Sequence, residues 1–191
     1  MISISAVFFG CINACREIVG ERSIFMRERM VNLSIPSYLL AKVVVLAGFC
    51  FLQGIILLSI IYTSINMEGN FFSMFGLFFF TAMGSLFLGL TISAIVDSQE
   101  KAMTIVPIVL LPQIIFAGAL FKLNGLSEYL SYLTICRWSF EAFLELEGLP
   151  LQGPLSGLIS NNLSNDIIAI ALITVILVGC TYFAIKRNDI K

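Results

Sequence analysis

Residues 43–96, VVVLAGFCFLQGIILLSIIYTSINMEGNFFSMFGLFFFTAMGSLFLGLTISAIV, decide the fold, because they contain a single charged residue, Glu68. Uncharged runs of 25 and 28 residues lie on either side of it, and a helix needs about 20 apolar residues to cross a bilayer. Lipid offers backbone amides no partner, so a run of this kind is read as a helix that satisfies them internally. Outward from this pair, further uncharged runs of 15, 20 and 19 residues occupy 1–15, 102–121 and 167–185. The 191-residue chain is 59% hydrophobic and 12% charged, about half the charge of an ordinary soluble domain. The pattern predicts an all-α membrane protein, a polytopic bundle of about five spans: a partial span at 1–15, then 38–63, 71–96, 102–121 and 167–185.

The same composition excludes other classes. A net charge of −1 creates no field for a polyanion, so no nucleic-acid partner is expected. The chain has no histidine, and Cys11 and Cys15 without further ligands read as small buried hydrophobes, so no metal site is expected. No Gly-x-x-x-x-Gly-Lys-Ser/Thr phosphate cradle is present, so no catalytic residue and no cofactor are assigned to this chain.

Basic residues set the orientation. Arg16, Arg22, Arg27, Arg29, Lys42, Lys101, Lys186, Arg187 and Lys191 fall on one side of the predicted spans, and Lys122 and Arg137 on the other. Lys and Arg accumulate in cytoplasmic loops, so the first set is expected inside, with the C-terminus inside and Met1 outside. An external start midway through an apolar helix leads us to expect an upstream span beyond this chain and a six-span unit in all.

Between the first two spans, residues 16–30 carry seven charges. Plotted as one helix, Glu17, Glu21 and Glu28 fall within about 40° of one another, flanked by Arg16 and Arg27 on one side and Arg22 and Arg29 on the other. Val19, Met26 and Met30 lie opposite. Such a helix lies along the membrane surface. Three aligned carboxylates repel one another unless the arginines or a docked protein neutralise them; a snorkelling helix without a partner is the competing reading. Polar side chains within apolar spans, Asn13, Gln53 and Gln113, are candidates to line a path or to bond a neighbouring helix. Pro107 and Pro112 permit a kink. The glycines and phenylalanines of 71–96, among them Gly84 and Gly89, suit close helix packing. In the external segment 122–166, Leu126, Tyr129, Leu130, Leu133, Phe140, Phe143 and Leu144 recur at helical spacing around Arg137, Trp138 and Glu141. This predicts a short amphipathic, re-entrant helix in which Arg137 and Glu141, four residues apart, pair. Residues 148–165 read as an exposed loop.

Three pieces in this order resemble the membrane domain of type 2 ABC exporters, within them the G subfamily of half-transporters and their bacterial relatives. They are Arg16-Glu17 … Glu21-Arg22-Ser23-Ile24-Phe25-Met26-Arg27-Glu28-Arg29 leading to Ser37-Tyr38-Leu39-Leu40-Ala41-Lys42; Phe116-Ala117-Gly118-Ala119-Leu120-Phe121; and Leu130-Ser131-Tyr132-Leu133 … Arg137-Trp138-Ser139-Phe140-Glu141-Ala142. The third departs from the family's usual pattern by Trp138 in place of tyrosine. The resemblance implies a permease that moves an amphipathic or lipid-like substrate. Residues 16–30 would be a coupling helix on an ABC nucleotide-binding domain, Phe25 included, and Asp97, Glu100 and Lys101 would form a second coupling loop. ATP and Mg2+ would be bound by that partner domain, upstream on the same chain or separate. A second permease copy, homo- or heterodimeric, and the lipid of a plasma (inner) membrane complete the implied partners. A non-transporting membrane scaffold or assembly protein with the same fold is the alternative. A channel or secondary carrier is disfavoured, since no charge is placed mid-span.

Overall fold

The computed structural model describes residues 1–65, 67, 69–117, 126–148 and 162–189. Among these the chain forms α1 (Ile2–Ala14), α2 (Glu17–Gly20), α3 (Arg22–Arg29), α4 (Ile35–Ser64), α5 (Phe71–Ile95), α6 (Gln99–Ile115), α7 (Leu126–Ser131), α8 (Ile135–Leu146) and α9 (Leu163–Asp189). Ile2–Gly20, Ile35–Ser64, Phe71–Ile95 and Leu163–Arg187 are long and apolar enough to cross a membrane. The helix expected at 102–121 is α6, with 17 residues or about 26 Å of rise. Residues 118–121, its expected end, lie outside the described residues, as do Glu68, Lys122, Lys191 and the 149–161 part of the expected loop.

Helix starts follow local chemistry. The Ser34 hydroxyl accepts from the Ser37 amide, with Pro36 in the first turn of α4. The Asn70 side chain accepts from the Phe72 amide at the head of α5, and Ser98 accepts from the Lys101 amide at the head of α6. Each supplies an oxygen to a first-turn N–H that has no partner within its own helix. Between α3 and α4 the chain reverses through Asn32 at φ 78°, a left-handed conformation that asparagine tolerates better than most residues.

α5 is the centre of the bundle and packs against α1, α2, α4, α6, α8 and α9. Its contact with α1 is close because both helices present small residues. Gly10 faces the backbone of Ala82 and Leu86, and Gly89 faces the backbone of Cys11 and the Ala14 side chain. Such small-residue contacts let backbones approach and gain dispersion energy where lipid offers no hydrophobic drive. Phe71, Phe75 and Phe79 form a ladder along α5 that receives Phe51 and Tyr62 from α4, with centroid distances of 5.1 Å for Phe51–Phe75 and 5.2 Å for Tyr62–Phe71. Most of the phenylalanine-rich helix is therefore packing surface, while Phe72 points outward. Hydroxyl pairs stitch the other faces: Thr91 to Thr181 of α9 at 2.8 Å and Thr81 to Ser139 of α8 at 2.9 Å.

One end of the bundle collects the basic segments. Ile18, Val19, Arg22 and Phe25 meet Ser93 and Val96 of the α5 terminus and Ile185 of α9 around one small hollow. At the opposite end Met1 and Ser3 meet Met67, Met74, Phe143 and Glu147.

Candidate functional site

The basic end holds an ionic joint. The continuous surface helix expected over 16–30 is instead two pieces, broken at Glu21, whose φ of −108° and ψ of 12° leave the helical region. Gly20, the last residue of α2, is exposed and lies beside the Gln99 side chain. The break separates the acidic residues. Lys42 Nζ of α4 lies 3.0 Å from Glu17 Oε2 and 2.6 Å from Glu21 Oε2, whereas Glu28 is exposed on α3. The expected stripe of three aligned carboxylates does not form, because the bend turns two of them onto a cation supplied by the next helix.

A second ion pair closes the joint from the other side. Arg22 Nη1 is 3.1 Å from Asp97 Oδ1, in the turn between α5 and α6. Arg29 Nη1 donates to the Leu33 carbonyl at 2.6 Å and holds the loop leading to α4. Phe25 is buried, its ring 4.7 Å from that of Tyr38. Arg16, Arg27, Glu28, Glu100 and Lys101 are exposed. Met30, placed opposite the acidic face in the helical projection, is also exposed, and the buried face is made by Ile18, Val19 and Phe25.

Ser93 holds the first piece of the joint and was not singled out from the sequence. Its hydroxyl accepts from the amides of both Ile18 and Val19 at 3.0 Å. These amides belong to the first turn of α2, where no residue of the helix itself can accept from them. Arg16 at the N-cap makes no side-chain capping bond, so the cap comes from α5. A serine third from the end of an apolar helix is the only signal the sequence carries for this role.

The segment containing α7 and α8 forms a second polar centre. α8 follows α7 after a short turn and packs on α9, α5, α1 and α6. Arg137 and Glu141 pair as their spacing predicts, Nε to Oε1 at 3.0 Å, with side chains 2% and 3% exposed. The Arg137 guanidinium lies 4.0 Å from the Tyr132 ring centroid and donates to the Ser131 hydroxyl. The Trp138 indole donates to the Tyr132 carbonyl at 2.9 Å. Burial pushes the Glu141 carboxyl above its ordinary range, and the bond and charge of Arg137 pull it the other way.

The path-lining candidates each have a partner. The Asn13 amide donates to Gln53 Oε1 at 2.7 Å, joining α1 to α4. Gln113 is buried, and its Oε1 accepts from the Cys136 amide at 3.2 Å, joining α6 to α8. In the Phe116–Phe121 piece only Phe116 and Ala117 are described.

Comparison with known proteins agrees with this architecture. The family model for the ABC-2 type transporter matches residues 1–147. The chain is 30% identical over 152 residues to the ABC transporter ATP-binding/permease protein Rv1747 of Mycobacterium tuberculosis, covering 74% of this chain and 18% of that protein. It is 26% identical over 156 residues to ABC transporter G family member 1 of Arabidopsis thaliana, covering 76% of this chain and 20% of that protein. The chain thus spans about a fifth of the length of these curated relatives. With its apolar helices, and with the family match running from α1 through α8, the chain belongs to the ABC-2 type transporter family as an integral membrane domain.

Proposed function

We propose that this domain is the permease of an ATP-driven exporter and that α2–α3 is its input element. In this reading Arg16, Glu17, Glu21, Arg22, Phe25, Arg27, Glu28 and Arg29 make up a coupling segment that docks on an ABC nucleotide-binding domain. Asp97, Glu100 and Lys101 form a second, smaller contact. ATP and Mg2+ act at the partner domain, and two permease copies enclose the path. The cargo is amphipathic or lipid-like, the membrane is the plasma (inner) membrane, and Asn13, Gln53 and Gln113 border the route when the helices repack.

The observation that supports this reading is the bracing of α2–α3 from two sides. Lys42 ties Glu17 and Glu21 to α4, and Asp97 ties Arg22 to the α5–α6 turn. A force applied to α3 reaches three helices through these contacts, and a ligand acting elsewhere can bias such an element between two packings. Arg27 and Glu28 remain exposed on α3, where a docking partner would meet them.

The test uses the transporter assembled with its nucleotide-binding domain in proteoliposomes. Arg27→Glu with Glu28→Lys leaves the Lys42 and Asp97 contacts intact, which a change at Glu21 does not. Substrate-stimulated ATP hydrolysis and transport are expected to fall to the unstimulated level while the protein remains folded. Unchanged coupling in this variant overturns the assignment and favours a scaffold.

A further inference from the structure

α5 and α9 pack on each other, and near their last turns they leave a cavity of about 310 Å3. Its α9 wall is Cys180, Phe183, Ala184 and Arg187, spaced so that all four share one face of the helix. Its α5 wall is Thr91, Ala94 and Ile95, again on one face. Ala94 also lines the hollow that receives Ile18, Val19 and Arg22, so the cavity lies at the basic end of the bundle. Ile95 and Phe183 are 65% and 67% exposed, and between them the cavity opens outward, where a spanning helix meets lipid.

The lining asks for two chemistries at once. The Thr91 hydroxyl is 2.7 Å from the Phe87 carbonyl oxygen and 2.8 Å from the Thr181 hydroxyl, which engages it within the bundle. The wall is therefore apolar up to Arg187, the one charged residue of the lining, which is exposed. The apolar segment Leu163–Arg187 is long enough to cross a membrane and ends at that residue. Its guanidinium thus stands at the headgroup level of a hydrocarbon core about 30 Å thick, and Cys180, seven residues earlier, lies about 10 Å deeper. A guanidinium takes a phosphate in fork geometry, and the wall beneath it takes an alkyl chain. Asp97, in the turn after α5, is engaged with Arg22, and residues 186–191 carry Lys186, Arg187 and Lys191 against Asp189. This charge is complementary to anionic lipids, which are concentrated in the cytoplasmic leaflet, the side on which basic segments accumulate.

We propose that this cavity binds one anionic phospholipid of the leaflet on the basic side. An acyl chain lies along Cys180, Ala184 and Ile95, and the phosphate engages Arg187. The lipid fills the gap between the ends of α5 and α9, beside the hollow that seats α2 and α3, and so adds to the packing around the ionic joint. The site rests on the membrane assignment of the chain and not on coupling to ATP.

The test is lipid quenching of a tryptophan at the rim, Phe183→Trp, in the full-length protein reconstituted into nanodiscs without nucleotide. The protein with Phe183 supplies the background, Trp138 included. Brominated phosphatidylglycerol is compared with brominated phosphatidylcholine at equal mole fraction. The anionic lipid is expected to quench with about fivefold higher apparent affinity, the effect of one cation at an anionic surface. Arg187→Gln should remove this preference, whereas Lys186→Gln, off the cavity face, should keep most of it. Ala184→Leu, which fills the cavity, should reduce quenching by both lipids. Equal quenching by the two lipids overturns the proposal, as does a preference that survives Arg187→Gln or is lost equally in Lys186→Gln. Quenching unaffected by Ala184→Leu overturns it too. Absence of quenching by either lipid does the same, by identifying a second copy or a partner protein as what covers the cavity. If Phe183→Trp does not fold, mass spectrometry of the unsubstituted protein and Arg187→Gln released from the same nanodiscs decides. The unsubstituted protein must retain one more anionic phospholipid than the variant, and equal retention overturns the site.

Discussion

Gly89 of α5 lies against the main-chain carbonyl of Cys11 in α1, so close that a β-carbon at Gly89 has no space between the two helices. Replacement by leucine forces these helices apart. Gly89→Leu is expected to destabilise the domain by about 1–3 kcal/mol, the usual cost of overpacking. Gly76, on the same helix, has open space around it. Gly76→Ala should leave stability unchanged or raise it by about 0.5–1 kcal/mol through helix propensity. Thermal unfolding of the two variants in one detergent checks the contrast.

Lys42 serves two carboxylates, and its removal leaves Glu17 and Glu21 facing each other. These side chains are partly exposed, so solvent screens the loss. Lys42→Met should cost about 1 kcal/mol, at the upper end for exposed pairs. Adding Glu17→Gln and Glu21→Gln should recover most of it. A cycle of single and combined variants measures that coupling, and strictly additive effects would contradict the joint.

α4 and α5 were legible as spans because an uncharged run of more than 20 residues has few other physical solutions. Arg137–Glu141 was legible because four residues return a helix to the same face. The role of Lys42 was not, since its carboxylates sit 25 and 21 residues earlier in the chain and meet it only after the chain reverses at Asn32. Nor was the break at Glu21: a helical projection assumes continuity, and Glu21 departs from helical dihedral angles there. Hydropathy likewise marked 122–166 as external by its charges, although α8 buries two of those charges inside the bundle.

The Arg137–Glu141 pair predicts a pH response. Arg137→Met leaves Glu141 as an uncompensated buried carboxylate, which should cost about 3–5 kcal/mol at neutral pH. Glu141 already has its carboxyl raised by burial, so the folded protein binds its proton more tightly than the unfolded chain does. For such a group stability falls as pH rises above the unfolded pKa, and it continues to fall until the folded pKa is passed. Without Arg137 the folded value rises further, so the variant should regain stability as pH is lowered, and more steeply than the wild type. Arg137→Lys should not rescue fully, because an ammonium lacks the planar face that stacks on Tyr132. Unfolding midpoints of the three proteins across pH provide the check.

Ser93→Ala removes the acceptor of two buried amides at once. Each stranded donor typically costs about 1–3 kcal/mol. The loss should appear first as faster hydrogen exchange at Ile18 and Val19, before global stability falls. Ser93→Thr retains a hydroxyl and should exchange more slowly than Ser93→Ala.

That shared hydroxyl also restricts how α2 can travel. Sliding the short helix along α5 would pull both hydrogens away from their acceptor, whereas swivelling about the oxygen keeps both within reach. Ser93 is in this sense a fulcrum. With Lys42 on one arm and Asp97 beside it, the contacts of α2 and α3 permit rotation more readily than sliding.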